Sequence, residues 1–212
     1  MKLTLVRHAE VQEEFLGRYN GHNDIGLSKS GILQAKKLCK KLDALHFDAI
    51  YCSDLRRAKE TIQFYKNHNK VIYTDQLREK SWGKHEGMSF EEIIDQKEIQ
   101  YIDFLQFIDA LDGEPYEEYI QRIEKFFLNF LPSLRKENIL IVTHAGVIRV
   151  LQSIIHNKSL TEVFGEKMNY GDLVKLTLHT QSISEQKEKA LDTRRKFFSV
   201  AVATVEVFQR SR

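Results

Sequence analysis

The hexapeptide ILIVTH, residues 139–144, decides the fold. Four large apolar residues stand in a row without the polar alternation of a strand that has one wet face. Such a run reads as a strand buried on both faces, the kind that fills the interior of a parallel sheet. Gly146 begins a helix directly after it. The same strand-then-helix unit recurs outward from this point. LTLVRHAE, residues 3–10, is a short apolar strand that ends abruptly in Arg7 and His8, and a polar, Gly-containing loop from Ala9 to Gly26 follows it. Leu27 and Ser28 then open a helix with Ser28 as N-cap and Ile32, Ala35, Leu38, Leu42 and Leu45 on one stripe. FDAIYCS (47–53) is a second strand, followed by a helix beginning at about Asp54 that carries Leu55, Ala58, Ile62 and Tyr65 at helical spacing; KVIYT (70–74) is a third strand. Residues 89–112 read as irregular helix, and Glu114-Pro115 starts an amphipathic helix through Tyr116, Tyr119, Ile123, Phe127 and Phe130, with Pro115 suited to its first turn. DLVKLTLH, beginning at Asp172, is the last strand. Alternation of this kind predicts a three-layer α/β domain, a mainly parallel sheet with helices on both faces.

Size and composition narrow the class. A chain of 212 residues builds one domain with a substantial core, and 42% apolar and 29% charged residues are globular values. A formal net charge of +2 gives no reason to expect nucleic acid or an anionic membrane as partner. No apolar run reaches membrane-spanning length, and the first residues do not read as a signal peptide. Cys39 and Cys52 lack metal or redox spacing and read as buried free thiols. A cytoplasmic monomer or homodimer acting on a small molecule is the expectation.

Three strands end in related chemistry: Arg7-His8 after the first, Ser53 with Arg56 and Arg57 after the second, Thr143-His144 after the fourth. If the strands are parallel, these ends meet at one sheet edge, where α/β folds bind ligands. Each residue taken alone is an ordinary solvated strand end. The same explanation invoked three times is weaker than a common one. Two arginines, two histidines and two helix N-termini would repel one another without an anion between them, and guanidinium forks match phosphate oxygens. A histidine at the floor of such a site is suited to attack phosphorus, with Glu79, in the loop after the third strand, as proton donor.

Five ordered blocks between about Leu3 and Leu178 carry a resemblance. LVRHAE is similar to an R-H-G-E signature, GLSKSGILQAKKL to L-T-x-x-G-x-x-Q-A, and YCSDLRRAKET to S-x-L-x-R-A-x-x-T. LREKSWGKHEG is similar to L-x-E-x-x-x-G-x-x-E-G, and IVTHAGVIR to V-x-H-G-G-V-I-R. The chain thus resembles the histidine phosphatase superfamily of phosphoglycerate mutase-like enzymes. That resemblance implies an antiparallel edge strand, no cofactor and no metal. It makes His8 the phosphorylated nucleophile, Glu79 the proton donor, and Arg7, Arg57 and His144 the phosphate pocket. Arg57, not Arg56, holds the matched position, and a helix separates the two by about 100°. Ala9 replaces the usual glycine, and Glu14 stands where many members carry a phosphate-binding asparagine, so Glu14 is expected to turn outward. Mutases of the family grip a bisphosphate with further arginines beyond the acid loop, and residues 81–121 contain none, which favours hydrolysis over a mutase. A non-catalytic phospholigand-binding module is the third reading, disfavoured because a binder needs no proton donor. The loop GRYNGHNDIGLS, 17–28, resembles that of the α-ribazole phosphatase branch, which implies α-ribazole 5′-phosphate of cobalamin synthesis as the leading single substrate. Tyr19 would stack on a base, and Asn20, Gly21 and His22 join the substrate site. The alternative is a broad-specificity metabolite phosphatase for which the loop is only a scaffold. His85 is a further candidate on that edge, while Trp82 reads as core. The catalytic domain is expected over residues 1–178, with 179–212 an extension packed on it.

Overall fold

The computed structural model describes residues 1–178; the expected extension lies outside them. Strand β1 (Lys2–Arg7) leads through a long loop to helix α1 (Lys29–Leu42), strand β2 (Ala49–Ser53), helix α2 (Arg56–Ile62) and strand β3 (Ile72–Thr74). Helices α3 (Phe90–Asp95), α4 (Phe104–Ala110) and α5 (Tyr116–Glu124) precede strand β4 (Asn138–Thr143). Helices α6 (Ala145–His156) and α7 (Leu160–Gly165) and strand β5 (Leu173–Thr177) complete it. The sheet order is β3-β2-β4-β1-β5. All neighbours are parallel except β5, which runs antiparallel to β1.

ILIVTH behaves as its composition demands. Ile139 and Ile141 point to one face, with Leu3, Leu5 and the residues of α5 and α6; Leu140 and Val142 point to the other, with Val6, Leu38, Leu42 and Ile62. Two apolar cores on opposite faces leave no polar position among residues 139–142. The register pairs Arg7 with Thr143, so β1 and β4 stop at the same level, and β2 ends beside them. Three strand ends therefore share one edge.

Several boundaries differ from expectation for local reasons. Helix α1 stops at Leu42, so Leu45 leaves the stripe and is exposed. Helix α2 starts at Arg56 rather than Asp54, because the Asp54 carboxylate is engaged in a two-bond fork with Arg78. Strand β3 keeps only Ile72–Thr74, since Lys70 is held in a 3-10 turn, and as an edge strand it stays exposed. Pro115 is the N-cap of α5 and stands outside the first turn. The helix then widens into a π turn over Lys125–Phe130, which lets three successive residues, Phe126, Phe127 and Leu128, be buried together. The irregular 89–112 region resolves into two short helices, each started by a capping side chain, Ser89 and Asp103. Cys39 and Cys52 are buried and unpaired.

Candidate active site

His8 follows β1 directly and is buried. Its Nδ1 lies 2.8 Å from the carbonyl of Ala9, a bond that fixes the proton on Nδ1 and leaves the Nε2 lone pair free. The Ala9 amide in turn donates to Thr61 Oγ1, and the Thr61 hydroxyl donates to the carbonyl of Arg57, so β1 and α2 are tied together beneath the imidazole. His144 is the N-cap of α6 and its ring centre lies 5.1 Å from that of His8. Its Nε2 meets Ser53 Oγ at 2.8 Å, while its buried Nδ1 has no protein partner. With the Ser53 hydroxyl donating to Nε2, the imidazole proton sits on Nδ1.

Both arginines are held by backbone carbonyls. Arg7 donates to Met168 O at 2.5 Å and lies over the Tyr170 ring, 3.9 Å from its centre. Arg57, 2% exposed, donates to Asn23 O at 2.8 Å and Gly21 O at 2.6 Å. Burial pulls the Arg57 guanidinium down to about 10, which still leaves it charged at neutral pH. Desolvation, reinforced by both guanidiniums, pushes the His8 and His144 imidazoles well below their usual 6.5, so both are neutral near pH 7.

Glu79 approaches from the loop after β3. Tyr119 donates to its Oε1 at 2.6 Å, the Lys80 amide to Oε1 at 3.2 Å, and the Gly146 amide, at the start of α6, to Oε2 at 3.0 Å. Arg122 clamps the loop from behind through the carbonyls of Gln76, Arg78 and Glu79, balanced by its ion pair with Glu114. A Cβ on residue 146 would stand 2.3 Å from Glu79 Oε1, so only glycine lets the carboxylate come this close.

The structure thus brings Arg7, His8, Arg57 and Glu79 around one cavity of about 240 Å³, with the Gly146 amide on its wall and His144 behind it. The loop residues are divided. Tyr19, Asn20 and Gly21 line the cavity, and Gly21 contributes the carbonyl that positions Arg57. His22 does not line it: its Nε2 bonds the Glu79 carbonyl and its amide donates to Glu86, which makes it a strut beneath the acid loop. Tyr19 has its ring packed edge-on against Trp82 and close to Phe107, so little of it is left for stacking. His85 is buried away from the cavity, with Nδ1 accepting from the Asp112 amide. Glu14 is exposed, as expected.

Tyr170, Tyr119, Lys80, Arg18 and Arg149, which have no role in the sequence motifs, also line the cavity. Arg149 and Lys80 stand inside motif blocks, which is the signal the sequence holds for them. Tyr119 has a sufficient explanation in the helical stripe, and nothing around Tyr170 marks it. Arg18 and Arg149 also put two more arginines at the cavity from outside residues 81–121, both already engaged, Arg18 with Glu92 and Arg149 with the Glu166 carbonyl. Among the described residues no group of three or more His, Cys, Asp or Glu is placed to hold a metal, and no helix is long and apolar enough to cross a membrane.

The model of the histidine phosphatase superfamily (branch 1) matches residues 3–188. The chain belongs to that superfamily. It is 30% identical over 156 residues to the adenosylcobalamin/alpha-ribazole phosphatase of Escherichia coli K12, covering 71% of this chain and 77% of the relative. It is 31% identical over 160 residues to phosphoserine phosphatase 1 of Hydrogenobacter thermophilus, covering 71% and 74%. The crystal structure of the alpha-ribazole phosphatase from Shigella flexneri superposes with a TM-score of 0.74 at 26% identity, covering 85% of this chain and 92% of that one. Membership with relatives of this kind makes the chain a phosphatase; the relatives differ in substrate.

Proposed function

We propose that the protein hydrolyses small phosphomonoesters through a phosphohistidine formed on His8. The observation that carries this reading is the free, neutral Nε2 of His8 facing a cavity shared with Arg7, Arg57 and Glu79. Nε2 attacks phosphorus in line with the ester oxygen; the N–P bond forms as the P–O ester bond breaks. The Arg7 and Arg57 guanidiniums and the His144 Nδ1–H take the equatorial oxygens. The Glu79 carboxyl gives its proton to the departing alkoxide. Water then attacks the phosphohistidine, Glu79 accepts its proton, and inorganic phosphate leaves with Nε2 restored. Ala9 is adequate in place of glycine here, because the contribution of residue 9 is its carbonyl.

Turnover of p-nitrophenyl phosphate and an acid-labile phosphoryl group trapped on the wild-type chain are the expected results. Full turnover by His8→Ala refutes the mechanism. Among substrates, α-ribazole 5′-phosphate is supported by the relatives and by Asn20 and Gly21 at the cavity; the position of His22 and the packing of the Tyr19 ring speak against it. A panel ranked by kcat/KM, including α-ribazole 5′-phosphate, 3-phosphoglycerate, phosphoserine, sugar phosphates and phosphohistidine peptides, decides. We further propose that residues 1–178 carry the chemistry and that deleting 179–212 lowers stability or solubility before it lowers turnover. A stable but inactive truncation refutes that division.

A further inference from the structure

Lys80 takes no part in the reaction above, yet it is only 1% exposed and lines the same cavity as His8. Its ammonium donates to the Ser81 carbonyl at 3.1 Å and stands 4.4 Å from the centre of the Trp82 ring. No carboxylate forms an ion pair with it among the described residues; Glu114, Asp109, Asp112 and Glu79 attract it only from farther away. An ammonium buried without an ion-pair partner carries an uncompensated desolvation cost, and an apolar side chain of the same length would pack on Trp82 without it. Burial brings Lys80 down to about 8, so it is still mostly charged at pH 7. A charge kept in such a place is suited to an anion that arrives with the ligand.

We infer that Lys80 is a specificity-determining residue that binds a carboxylate on the phosphomonoester substrate, while Arg7 and Arg57 hold the phosphate. This inference rests on the phosphomonoesterase reading and names a substrate class within it. A compact ammonium with three rotatable donors is a point-charge partner for a carboxylate, whereas the forked guanidiniums suit the phosphate. The cavity of about 240 Å³ corresponds to about eight water volumes, the scale of a short phosphorylated acid.

Two substrate pairs differ chiefly in the carboxylate: phosphoserine against phosphoethanolamine, and 3-phosphoglycerate against glycerol 3-phosphate. The wild type is expected to favour the carboxylated member by about 10- to 100-fold in kcat/KM, the range of one buried charge-assisted hydrogen bond. In Lys80→Met, whose thioether chain fits against Trp82, that ratio should fall to near one, mainly through KM. Lys80→Arg, which keeps the charge, should retain part of it and serves alone if the methionine variant does not fold. A wild-type ratio near one, a ratio that survives Lys80→Met, or a stronger preference for α-ribazole 5′-phosphate or a bisphosphate overturns the assignment. Wild-type turnover of p-nitrophenyl phosphate separates these outcomes from failure of the phosphatase reading itself, which removes all turnover.

Discussion

Gly146→Ala is the most demanding probe of the site because the structure sets its consequence in ångströms. The new Cβ would meet Glu79 Oε1 at 2.3 Å and the Tyr119 hydroxyl at 2.7 Å, whereas ordinary contact begins at 3.4 Å. Glu79 must therefore retreat by about 1 Å, a displacement that costs about a hundredfold in rate when it moves a reacting group. Retreat also stretches the bonds from Tyr119 and from the residue 146 amide itself. Alanine is a good helix former near the start of α6, so the fold loses little and the melting temperature should move by only a few degrees. The assay is kcat for p-nitrophenyl phosphate in a cycle of Gly146→Ala, Glu79→Gln and the double variant. If the alanine acts through the carboxylate, it should lower kcat about a hundredfold in the wild type and little further beside Glu79→Gln. Near-wild-type kcat in Gly146→Ala, or additive losses in the double variant, refutes the role given to this contact.

Ser53→Ala leaves the buried His144 imidazole without the partner of its Nε2. About a tenfold loss of kcat/KM is expected, and unchanged kcat/KM is evidence against orientation of His144 by Ser53. The His8 and His144 pKa values lie well below 6.5, so both rings stay neutral as pH falls through 6.5 while the unfolded chain takes up protons there. Stability is therefore complete above about pH 6.5 and declines below it, and chemical denaturation across pH 5–8 should show that slope, which His144→Ala reduces. A slope of the opposite sign contradicts the burial of neutral imidazoles. Inorganic phosphate should stabilise the fold by about 2.7 kcal/mol at a hundred times its Kd, read as a rise in melting temperature that Arg57→Met abolishes. No rise in the wild type argues against an anion site at this edge.

What was legible in the sequence followed from side-chain type and spacing. The uninterrupted apolar run of β4 announces burial on both faces, and the strand ends at His8, Ser53 and His144 mark one edge from their residue types alone. The misses share a physical cause. His22 reads as a ligand-facing loop residue, but its partners are the carbonyl of Glu79 and the carboxylate of Glu86, contacts made across the chain. Tyr170 reaches Arg7 only because β5 returns antiparallel beside β1, a pairing for which local periodicity holds no signal. Tyr119 was absorbed into the apolar face of α5, where its ring does belong; only its hydroxyl, bonded to Glu79, departs from that face.

The way the cations are held explains how so much positive charge is stored at one edge and still available. Outside the cavity, Arg56 and Arg78 are paired with Glu60 and Asp54, which spend the charge of each guanidinium on a local carboxylate. At the cavity, Arg7 is held by the carbonyl of Met168, Arg57 by those of Gly21 and Asn23, and Arg149 by that of Glu166, while Arg18 alone of the cavity arginines is paired with a carboxylate, that of Glu92. A carbonyl accepts a hydrogen bond and fixes the direction of the donor, but its partial charge does not cancel the cation. Orientation is thereby separated from neutralisation. Burial is the main reason that the imidazoles of His8 and His144 are neutral, and the uncancelled guanidiniums reinforce it. On the proposed mechanism, the same backbone contacts leave positive charge for a phosphate dianion and add to the burial that keeps the nitrogen beneath it unprotonated.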